Sequence, residues 1–523
     1  MGLALHLLRF LVSPMTPREA ELTRQLEAAL SALHAVQREN ELLREKVALL
    51  VQRIFGSSSE KLSPGQLELA LGLVAETEFI GPPMPPLPAP APDPKPRTSR
   101  TREPRAPRIP DDLPVVEQVL EPAEVLAAPQ GWRRIGEEVS DQLDYEPGHF
   151  LRRRLIRPRY VKRVVSDAAP VIAALPPKLQ DRSLPAAGLL AFVIVSKYCD
   201  HLPLYRQSAI FATRHKITIP RQTLCRWMGM AAGWLEAVYR RIRTGVMEGR
   251  YLQIDETPVE YLDPGRGRTA QGYLWTCARP GGDVVFHWET SRGTQCISNV
   301  LPVDFSGTIQ CDGYAAYEAF ARRHPQPITL AGCWAHVRRK FNEAFKRSPR
   351  QAGWILRQIQ ALYRVEARMR EQRAGRCLRE AVRASESRMI VERLHRALQK
   401  LQSRHLPKSA LGKAISYALG QWDGLVVYLG DGRVEIDNNT VENAIRPTAV
   451  GKKNWLFVGD GEAGDRGAIL YTVVESCRRR GIDPYEYLRD VLERIPGTLA
   501  KDLESLTPSG WAAARAKKQT LAA

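Results

Sequence analysis

The sequence predicts a multidomain α+β protein with an N-terminal coiled coil, a helical region, and an α/β core that carries a helical insertion. The chain has 523 residues, which is too long for one hydrophobic core. A seven-residue apolar repeat near the start is typical of a coiled coil. After Gly249 the apolar period changes from helical to strand-like, and it is helical again from about residue 343 to 429. This change indicates a sheet followed by an inserted helical segment.

The charge composition restricts the class of partner. The chain has 76 Lys and Arg against 57 Asp and Glu, which gives a formal net charge of +19 at pH 7. Such an excess favours a polyanion, with nucleic acid first and an anionic membrane surface second. No apolar run approaches the length needed to cross a bilayer, so we expect no membrane partner. Eight cysteines without a Cys-x-x-Cys pair favour buried thiols in a reducing cytosol.

The N-terminal region divides into a short extension, residues 1–15, and a dimerising coiled coil, residues 16–62. The extension is apolar but brief, and Met15 is an alternative start. Asn40 falls at an a position of the heptad, where a single Asn typically favours a two-stranded register. The alternative is a lone amphipathic helix that packs on its own domain. The two apolar ladders are Leu22, Ala29, Val36, Leu43 and Leu50, and Leu26, Leu33, Asn40, Val47 and Ile54.

Two basic segments follow the coiled coil. Residues 63–112 form a Pro-rich and basic linker, because their composition cannot bury enough apolar surface to fold. Residues 113–180 are predicted to form a small basic β-rich module. Its centre, residues 152–163, is mostly cationic and contains one aromatic residue that can stack on a base. The predicted DNA-binding residues of this module are Arg152, Arg153, Arg154 and Arg159.

Residues 181–248 have a helical pattern that includes a helix-turn-helix, and they are predicted to bind DNA. A first helix covers residues 204–211, a break covers 214–219, and a second helix begins with Pro220 at its first position. Polar residues at the start of the second helix suit the reading of base edges. The alternative is a helix pair that binds nothing. The predicted contacts are Arg221, Gln222, Thr223 and Arg226.

Residues 249–342 and 431–495 are predicted to form the two parts of a catalytic core, separated by a helical insertion, residues 343–430. A C-terminal tail covers residues 496–523. Asp255 and Asp312 each follow an apolar strand segment, so we expect both to emerge at a sheet end. A lone aspartate there is usually a turn residue. The predicted strands are 251–255, 272–277, 284–288 and 308–311, with a fifth at 328–331.

A short polar helix is predicted at residues 439–446. Asp437 or Asn438 can cap its start, and Pro447 is expected to end it. One face carries groups that suit phosphate better than burial, although a solvated polar helix would have the same pattern. That face carries Asn439, Glu442, Asn443 and Arg446, and the residues that follow the helix include Lys452, Lys453 and Trp455.

Two strand-end aspartates and the helical Glu442 together point to metal chemistry. Three converging carboxylates repel one another, so they make sense chiefly when divalent cations neutralise them. Oxygen ligands favour Mg²⁺, with Mn²⁺ tolerated. Two ions about 4 Å apart would activate the attacking oxygen and stabilise the leaving oxygen of a phosphodiester.

Several motifs resemble the transposases of insertion-sequence family sixty-six over nearly the whole chain after Met15. The resemblance implies an RNase H-like core with Asp255, Asp312 and Glu442 as its metal-binding and catalytic residues. It also implies DNA cleavage by water and then attack of the freed 3′ hydroxyl on target DNA, with companion proteins from the same element. The motifs are Phe55-Gly56 to Leu62, Lys197 to Gln207, Gln253 to Thr257, Cys311 to Tyr314, Gly332 to Phe341, and Asp437 to Trp455.

The chain departs from this family in one respect. Members usually carry a small cysteine zinc module after the linker, but no cysteine precedes Cys199 here. Cys333 and His336 have ligand-like spacing without a second pair, so we expect no zinc. His336, Arg339 and Lys340 are candidates for the DNA path, or for an exposed basic helix. Trp455 is a candidate for base stacking, or for the core with Leu456 and Phe457.

The primary hypothesis is therefore a bacterial transposase in the cytoplasm, associated with the nucleoid. It would bind element ends and target DNA as a homodimer or higher oligomer, and it needs no organic cofactor. One alternative is a catalytically inactive, repurposed DNA-binding protein, which the absent zinc ligands favour slightly and the intact triad opposes. Another is a junction-cutting nuclease, which has no use for a heptad and a helix-turn-helix.

Overall fold

The computed structural model describes residues 17–55, short stretches between 130 and 180, and residues 184–522 apart from Pro264 and Arg266. The chain divides into two units, residues 1–59 with 153–523 and residues 60–152. The predicted extension 1–15, the linker 63–112 and most of the module 113–180 lie outside the described residues, including Arg154. The described helices and strands all belong to the first unit.

Helix α1, Pro17–Phe55, confirms the helix predicted from the heptad. Apolar side chains of both ladders, among them Leu22, Leu26 and Leu33, are 52–60% exposed in the single chain. The pairing of two such helices stays a prediction. Within the β-rich module, two-residue strands β1, Arg159–Tyr160, and β2, Val171–Ile172, pair antiparallel.

Three helices, α2 to α4, precede the sheet. Arg221, Gln222 and Arg226 are exposed on α4 and Thr223 is half-buried. The predicted second helix is much longer than its polar start, because a stripe that includes Leu224, Trp227 and Leu235 is buried over its length. Pro220 is the N-cap residue, one position before the first helical residue. The helices are α2 Ala187–Tyr198, α3 Leu204–His215 and α4 Arg221–Met247.

Five strands form one mixed sheet in the order β5-β4-β3-β6-β7. The pairs β3–β4 and β4–β5 are antiparallel, whereas β3–β6 and β6–β7 are parallel. All five predicted strands are confirmed. Their bounds are β3 Tyr251–Leu262, β4 Thr269–Ala278, β5 Val284–Glu289, β6 Gly307–Gln310 and β7 Ile328–Ala331.

The expectation that Asp255 ends a strand is wrong. Strand β3 continues to Leu262, because residues 253–262 pair in unbroken register with β4. On the other side of β3, the pairing with β6 ends at Gln253 and Gln310. Asp255 therefore lies within an antiparallel hairpin but beyond the end of its parallel neighbour, which leaves one side of the strand open.

Helices cover the sheet and fill the predicted insertion. The insertion has an apolar core that it shares with α7 and includes Phe341, Ile359, Leu394 and Ile415. A π-helical segment, Arg383–Ser387, connects two of its helices. The helices from the sheet to the end of the insertion are α5 Thr294–Val300, α6 Ala315–Arg323, α7 Trp334–Phe345, α8 Pro349–Glu371, α9 Arg376–Val382, α10 Arg388–Gln402, α11 Ala410–Gly420 and α12 Trp422–Gly430.

Helix α13, Asn439–Trp455, does not end at Pro447 as predicted. Proline removes one backbone donor and disfavours a helix. Here the cost is offset because α13 packs on β3 and β4 and buries a face on both sides of Pro447, including Val441, Ile445 and Thr448. The helix ends at Leu456, which has a φ of 63°. Leu456 and Phe457 are exposed, so they are not core residues.

The chain closes with α14 Gly461–Arg479, α15 Pro484–Arg494, two 3₁₀ segments, Ile495–Gly497 and Ala500–Leu506, and α16 Pro508–Ala522. Helix α14 packs against β5 and α4 and buries Leu470, Tyr471 and Val474. Within the described ranges, none of the helices is long and apolar enough to span a bilayer.

Candidate active site

Asp255 and Asp312 occupy equivalent positions relative to two neighbouring parallel strands. Gln253 of β3 pairs in parallel register with Gln310 of β6, and each aspartate follows its glutamine by two residues. Because side chains alternate along extended backbone, residues two apart face the same side. Just beyond the last pair of this parallel ladder, the two neighbouring segments therefore present both carboxylates on one side of the sheet.

The third candidate carboxylate, Glu442, lies in the first turn of α13. Gln253 holds the start of that helix with both ends of its amide: Nε2 donates to the carbonyl oxygen of Asp437 at 2.9 Å, and Oε1 accepts from the Val441 amide at 3.3 Å. Gln253 is fully buried, so these bonds are shielded from water. The strand that carries Asp255 thus positions the helix that carries Glu442.

A second buried glutamine extends this network. Gln310 Nε2 donates to the carbonyl oxygens of Gly332 and Glu435, at 3.0 and 2.8 Å. Its Oε1 accepts from the Tyr251 hydroxyl at 2.6 Å and from Gln253 Nε2 at 3.0 Å. Tyr251 in turn accepts from the Glu435 amide at 3.0 Å. The segment before α13 is therefore tied to both aspartate-bearing strands by hydrogen bonds that satisfy buried backbone groups.

Asp437 shapes the turn into α13 and is not exposed to a substrate. Its carboxylate accepts from the Tyr363 hydroxyl at 2.7 Å and from the backbone and side-chain nitrogens of Asn439 at 3.1 and 2.8 Å. Tyr363 belongs to α8, so the insertion helps to position the third carboxylate. Asn438 is the N-cap residue, but its side chain makes no cap bond.

The electrostatics of Asp255 indicate a site that needs positive charge. Burial, together with the smaller effects of the charges on Glu256, Glu442 and Asp312, raises the pKa of Asp255 to about 8. The amide of Glu256 donates to Asp255 Oδ1 at 2.9 Å, which acts in the opposite direction. The three predicted carboxylates are thus close enough to influence one another. Their oxygen donors fit a hard divalent ion such as Mg²⁺.

Glu256, the next residue, has a different role. Its side chain is 1% exposed, and it accepts from Arg292 Nε at 2.6 Å and from the Tyr317 hydroxyl at 2.8 Å. Burial raises the pKa of Glu256, and these two partners oppose the increase. Arg292 also lies 4.0 Å from Asp312 Oδ2 and stacks on Tyr314 at 3.9 Å. Arg292 therefore connects Glu256 to Asp312.

Cys333, His336 and Glu442 form a cluster beside the aspartates. One ligand atom from each lies within 4.8 Å of the others. His336 Nδ1 is 3.6 Å from Glu442 Oε1, and Arg339 is 3.5 Å from Glu442 Oε2. Burial lowers the pKa of His336 and raises the pKa of the Cys333 thiol to about 12. His336 thus faces a carboxylate of the candidate site, and Arg339 does so from an exposed position.

The other predicted DNA contacts occupy several surfaces. Asn439, Asn443 and Arg446 are exposed along α13, as are Lys453 near its end and Lys340 on α7. The remaining contacts lie on other elements or have protein partners. Lys452 Nζ donates to the Pro258 carbonyl oxygen at 3.1 Å, Arg152 is exposed, and Arg153 pairs with Glu493 at 3.2 Å. Arg221, Gln222, Thr223 and Arg226 begin α4, and Arg159 lies on β1.

The sequence reasoning missed Gln253, Gln310, Glu256 and Arg292 as parts of the site. A repeated pattern could have identified the glutamines, since Gln253-Ile254-Asp255 and Gln310-Cys311-Asp312 are both Gln-x-Asp at the end of an apolar strand segment. Arg292 had no such indication, because it lies in a loop distant in sequence from both acids.

Comparison with known proteins identifies the class of the protein. Residues 182–466 match the model of the transposase IS66 family, and residues 472–509 match the IS66 C-terminal element. Residues 42–117 match a model described as transposase C of IS166 homeodomain. The first match contains every described strand of the five-stranded sheet and all three candidate carboxylates.

Three relatives from Sinorhizobium fredii (strain NBRC 101917 / NGR234) are similar over most of their length. Uncharacterized protein y4jD is 36% identical over 496 residues, which cover 90% of this chain and 94% of the relative. Uncharacterized protein y4qI is 36% identical, covering 79% of each chain. Uncharacterized protein y4hP is 30% identical, covering 81% and 80%.

The chain belongs to the IS66 family of DDE transposases. Membership implies a DNA nuclease and transferase that binds DNA, and enzymes of this class generally use divalent metal ions.

Proposed function

We propose that the protein is an active DNA transposase, in which Asp255, Asp312 and Glu442 hold two divalent ions, Mg²⁺ or Mn²⁺. The observation that carries this proposal is the parallel register that aligns the two Gln-x-Asp segments, with Gln253 bonded to the start of the Glu442 helix. The five-stranded mixed sheet supports an RNase H-like core made of residues 249–342 and 431–495, with residues 343–430 as its insertion.

The reaction would be cleavage at the element ends, followed by joining of the freed 3′ hydroxyl to target DNA. When bound, the two ions would activate the attacking oxygen and stabilise the leaving oxygen. The residues of the chain supply the geometry for this chemistry. The carboxylates would hold the ions, Gln253 and Gln310 keep Glu442 in register with the aspartates, and Arg292 keeps Asp312 beside Glu256.

The test is a strand-cleavage and strand-transfer assay with the purified full-length protein and DNA that carries the inverted repeats flanking its coding region. Metal-dependent nicking at the repeat ends and joined products are expected. Specific binding to those ends without cleavage, in Mg²⁺ and in Mn²⁺, would favour a repurposed DNA-binding protein instead. Addition of companion proteins from the same element distinguishes an inactive chain from one that needs partners.

The buried glutamine offers a test of positioning. Replacing Gln253 with Leu removes the bonds to Asp437 and Val441, and it leaves the buried Asp437 carbonyl oxygen without the donor that Gln253 supplies. Because a displacement of about 1 Å in a catalytic group can cost about 100-fold, we expect kcat to fall by that order. The KM for DNA should stay within about twofold, since Gln253 is buried. Gln271→Leu, at an exposed position of β4, is the matched control, and an equal loss there would contradict the role of Gln253.

A DNA-binding surface along α13 is proposed from exposed polar and cationic side chains, including Asn443, Arg446 and Lys453. Each phosphate contact contributes about 0.9 to the slope of log K against log salt. Lys452→Ala combined with Lys453→Ala should therefore reduce the slope by about 2, as measured by fluorescence anisotropy between low and physiological salt. Lys501→Ala, an exposed site on another segment, should leave the slope unchanged. If the double substitution left the slope unchanged, these two lysines would not be part of the DNA-binding surface.

Dimerisation through α1 is proposed from the heptad and from the exposed apolar ladders. A peptide of residues 17–55 should be a helical dimer at micromolar concentration in analytical ultracentrifugation. Asn40→Leu should keep the association but broaden the oligomeric state, because the single a-position Asn specifies register. A monomeric wild-type peptide under these conditions would argue against the coiled coil.

We also propose that the protein works on DNA in the bacterial cytoplasm.

A further inference from the structure

We propose that Cys333, His336 and Glu442 form a binding site for one thiophilic divalent ion, Zn²⁺ by its chemistry, next to the carboxylates of the proposed active site. The Cys-x-x-His pair alone led the sequence analysis to expect no zinc. The third ligand comes from a residue more than a hundred positions away, which only the fold brings to the pair.

The geometry of the His336 and Glu442 ligand atoms fits an ion better than a direct contact. His336 Nδ1 and Glu442 Oε1 are 3.6 Å apart, which is too long for a hydrogen bond. Neither atom has a hydrogen-bond partner among the residues that the structure describes. Two ligands that each bind Zn²⁺ at about 2.0–2.1 Å in tetrahedral geometry lie about 3.4 Å apart. A small inward movement would therefore place both on one ion.

The surroundings of Cys333 favour a thiolate once a cation is present. Cys333 is the N-cap residue of α7, a helix of 12 residues whose dipole stabilises negative charge at that end. The amide of Asn438 donates to Cys333 Sγ at 3.5 Å, and the amide of His336 also interacts with it. Such donors are typical outer partners of metal-bound sulfur.

Asn438 provides an independent indication. Its side chain is fully buried, Oδ1 accepts from the Cys333 thiol at 2.9 Å, and Nδ2 has no partner in the described part of the chain. An unpaired buried amide is costly. When the thiol loses its proton to a metal, a flip of the Asn438 amide would direct Nδ2 to the sulfur and satisfy this donor.

Glu442 can serve this site without leaving its helix. Its two oxygens face different partners, since Oε2 lies near Arg339 and Oε1 faces His336. A thiolate, an imidazole and a carboxylate form a donor set that zinc binds well and Mg²⁺ binds poorly. A fourth position would be open to water. The bound ion would tie the start of α7 to the first turn of α13.

The test uses full-length, metal-free protein and Co²⁺ as a coloured substitute for Zn²⁺. One Co²⁺ per chain should produce a thiolate-to-cobalt charge-transfer band, and Zn²⁺ should abolish it whereas excess Mg²⁺ should not. Cys333→Ser should lose the band. The matched control Cys377→Ser, at an exposed cysteine, should keep it. Absence of the band in the wild type, or its persistence in Cys333→Ser, would overturn the proposal.

A second pair of variants protects the test against a folding defect at the buried cysteine. Glu442→Gln and His336→Gln alter partly exposed side chains, and each should weaken Co²⁺ binding by more than about 10-fold. Unchanged affinity in Glu442→Gln would also overturn the site. The site shares Glu442 with the proposed function, but the readout is spectroscopic and needs no DNA. An inactive protein that binds Co²⁺ would therefore refute the proposed function alone.

Discussion

Asp255→Asn is expected to abolish metal-dependent DNA cleavage and, at the same time, to raise the thermal stability of the metal-free protein. The activity should fall by about 1000-fold or more, because a neutral amide is a poor ligand for a hard divalent ion. The site would then no longer hold both metal ions. The stability effect has the opposite sign, and its cause is the burial of Asp255 beside other carboxylates.

The sign follows from the pKa of Asp255. Burial and, to a smaller extent, the neighbouring carboxylates raise the pKa to about 8 in the folded protein, against 3.8 for an ordinary aspartate. The folded state therefore keeps a proton that the unfolded state releases, and stability decreases as pH rises from about 4 to about 8. Asp255→Asn removes this loss, so its advantage in Tm should be small at pH 4 and largest at pH 8. Each kcal/mol of unfolding free energy recovered corresponds to about 2–4 °C in Tm for a domain of about 150–250 residues.

Calorimetry across that pH range, together with the cleavage assay, measures both effects. Saturating Mg²⁺ should raise the Tm of the wild type more than that of the variant, since an ion that binds only the folded state stabilises it. Asp304→Asn, at an exposed aspartate, is the control and should change neither property. Cleavage within about tenfold of the wild type would remove Asp255 from the metal site.

Arg383→Met is expected to destabilise the helical insertion by about 3–5 kcal/mol. Arg383 and Glu366 are both fully buried and form two parallel hydrogen bonds of 2.8 Å each. Arg383 Nη1 also donates to the carbonyl oxygens of Tyr428 and Asp431, at 2.7 and 3.0 Å. Among the residues that the structure describes, the substitution would leave the buried Glu366 carboxylate with only Arg379, at 3.3 Å, as an ion-pair partner.

The double variant Glu366→Leu with Arg383→Met separates the ion pair from packing. Removing both charges avoids an uncompensated buried carboxylate, so most of the lost stability should return. Denaturant unfolding followed by tryptophan fluorescence provides the measurement, since Trp354 and Trp422 pack against the core of the insertion. Arg240→Met, which breaks the exposed pair with Glu236, should cost less than about 1 kcal/mol. A double variant as unstable as Arg383→Met would contradict this account.

Much of the secondary structure could be predicted from the sequence, because the spacing of apolar and polar residues depends on local structure. The heptad predicted the helix of residues 17–55, period-two segments predicted all five strands, and the spacing of residues 439–446 predicted the polar helix. Helix and strand ends were less accurate. Pro447 and Asp255 were both expected to end an element. Burial of one face extended the helix past Pro447, and pairing with β4 extended the strand past Asp255.

The candidate site illustrates what pattern and geometry each contribute. The sequence by itself determined the chemical groups: two aspartates after apolar segments, a glutamate on a polar helix face, and a large excess of positive charge. Only the tertiary structure decided that Gln253 and Gln310 hold Glu442 in register with the aspartates, and that Cys333 and His336 face the same glutamate. Hydrogen bonds and burial between distant segments depend on the packing of the whole chain, and no local periodicity records them.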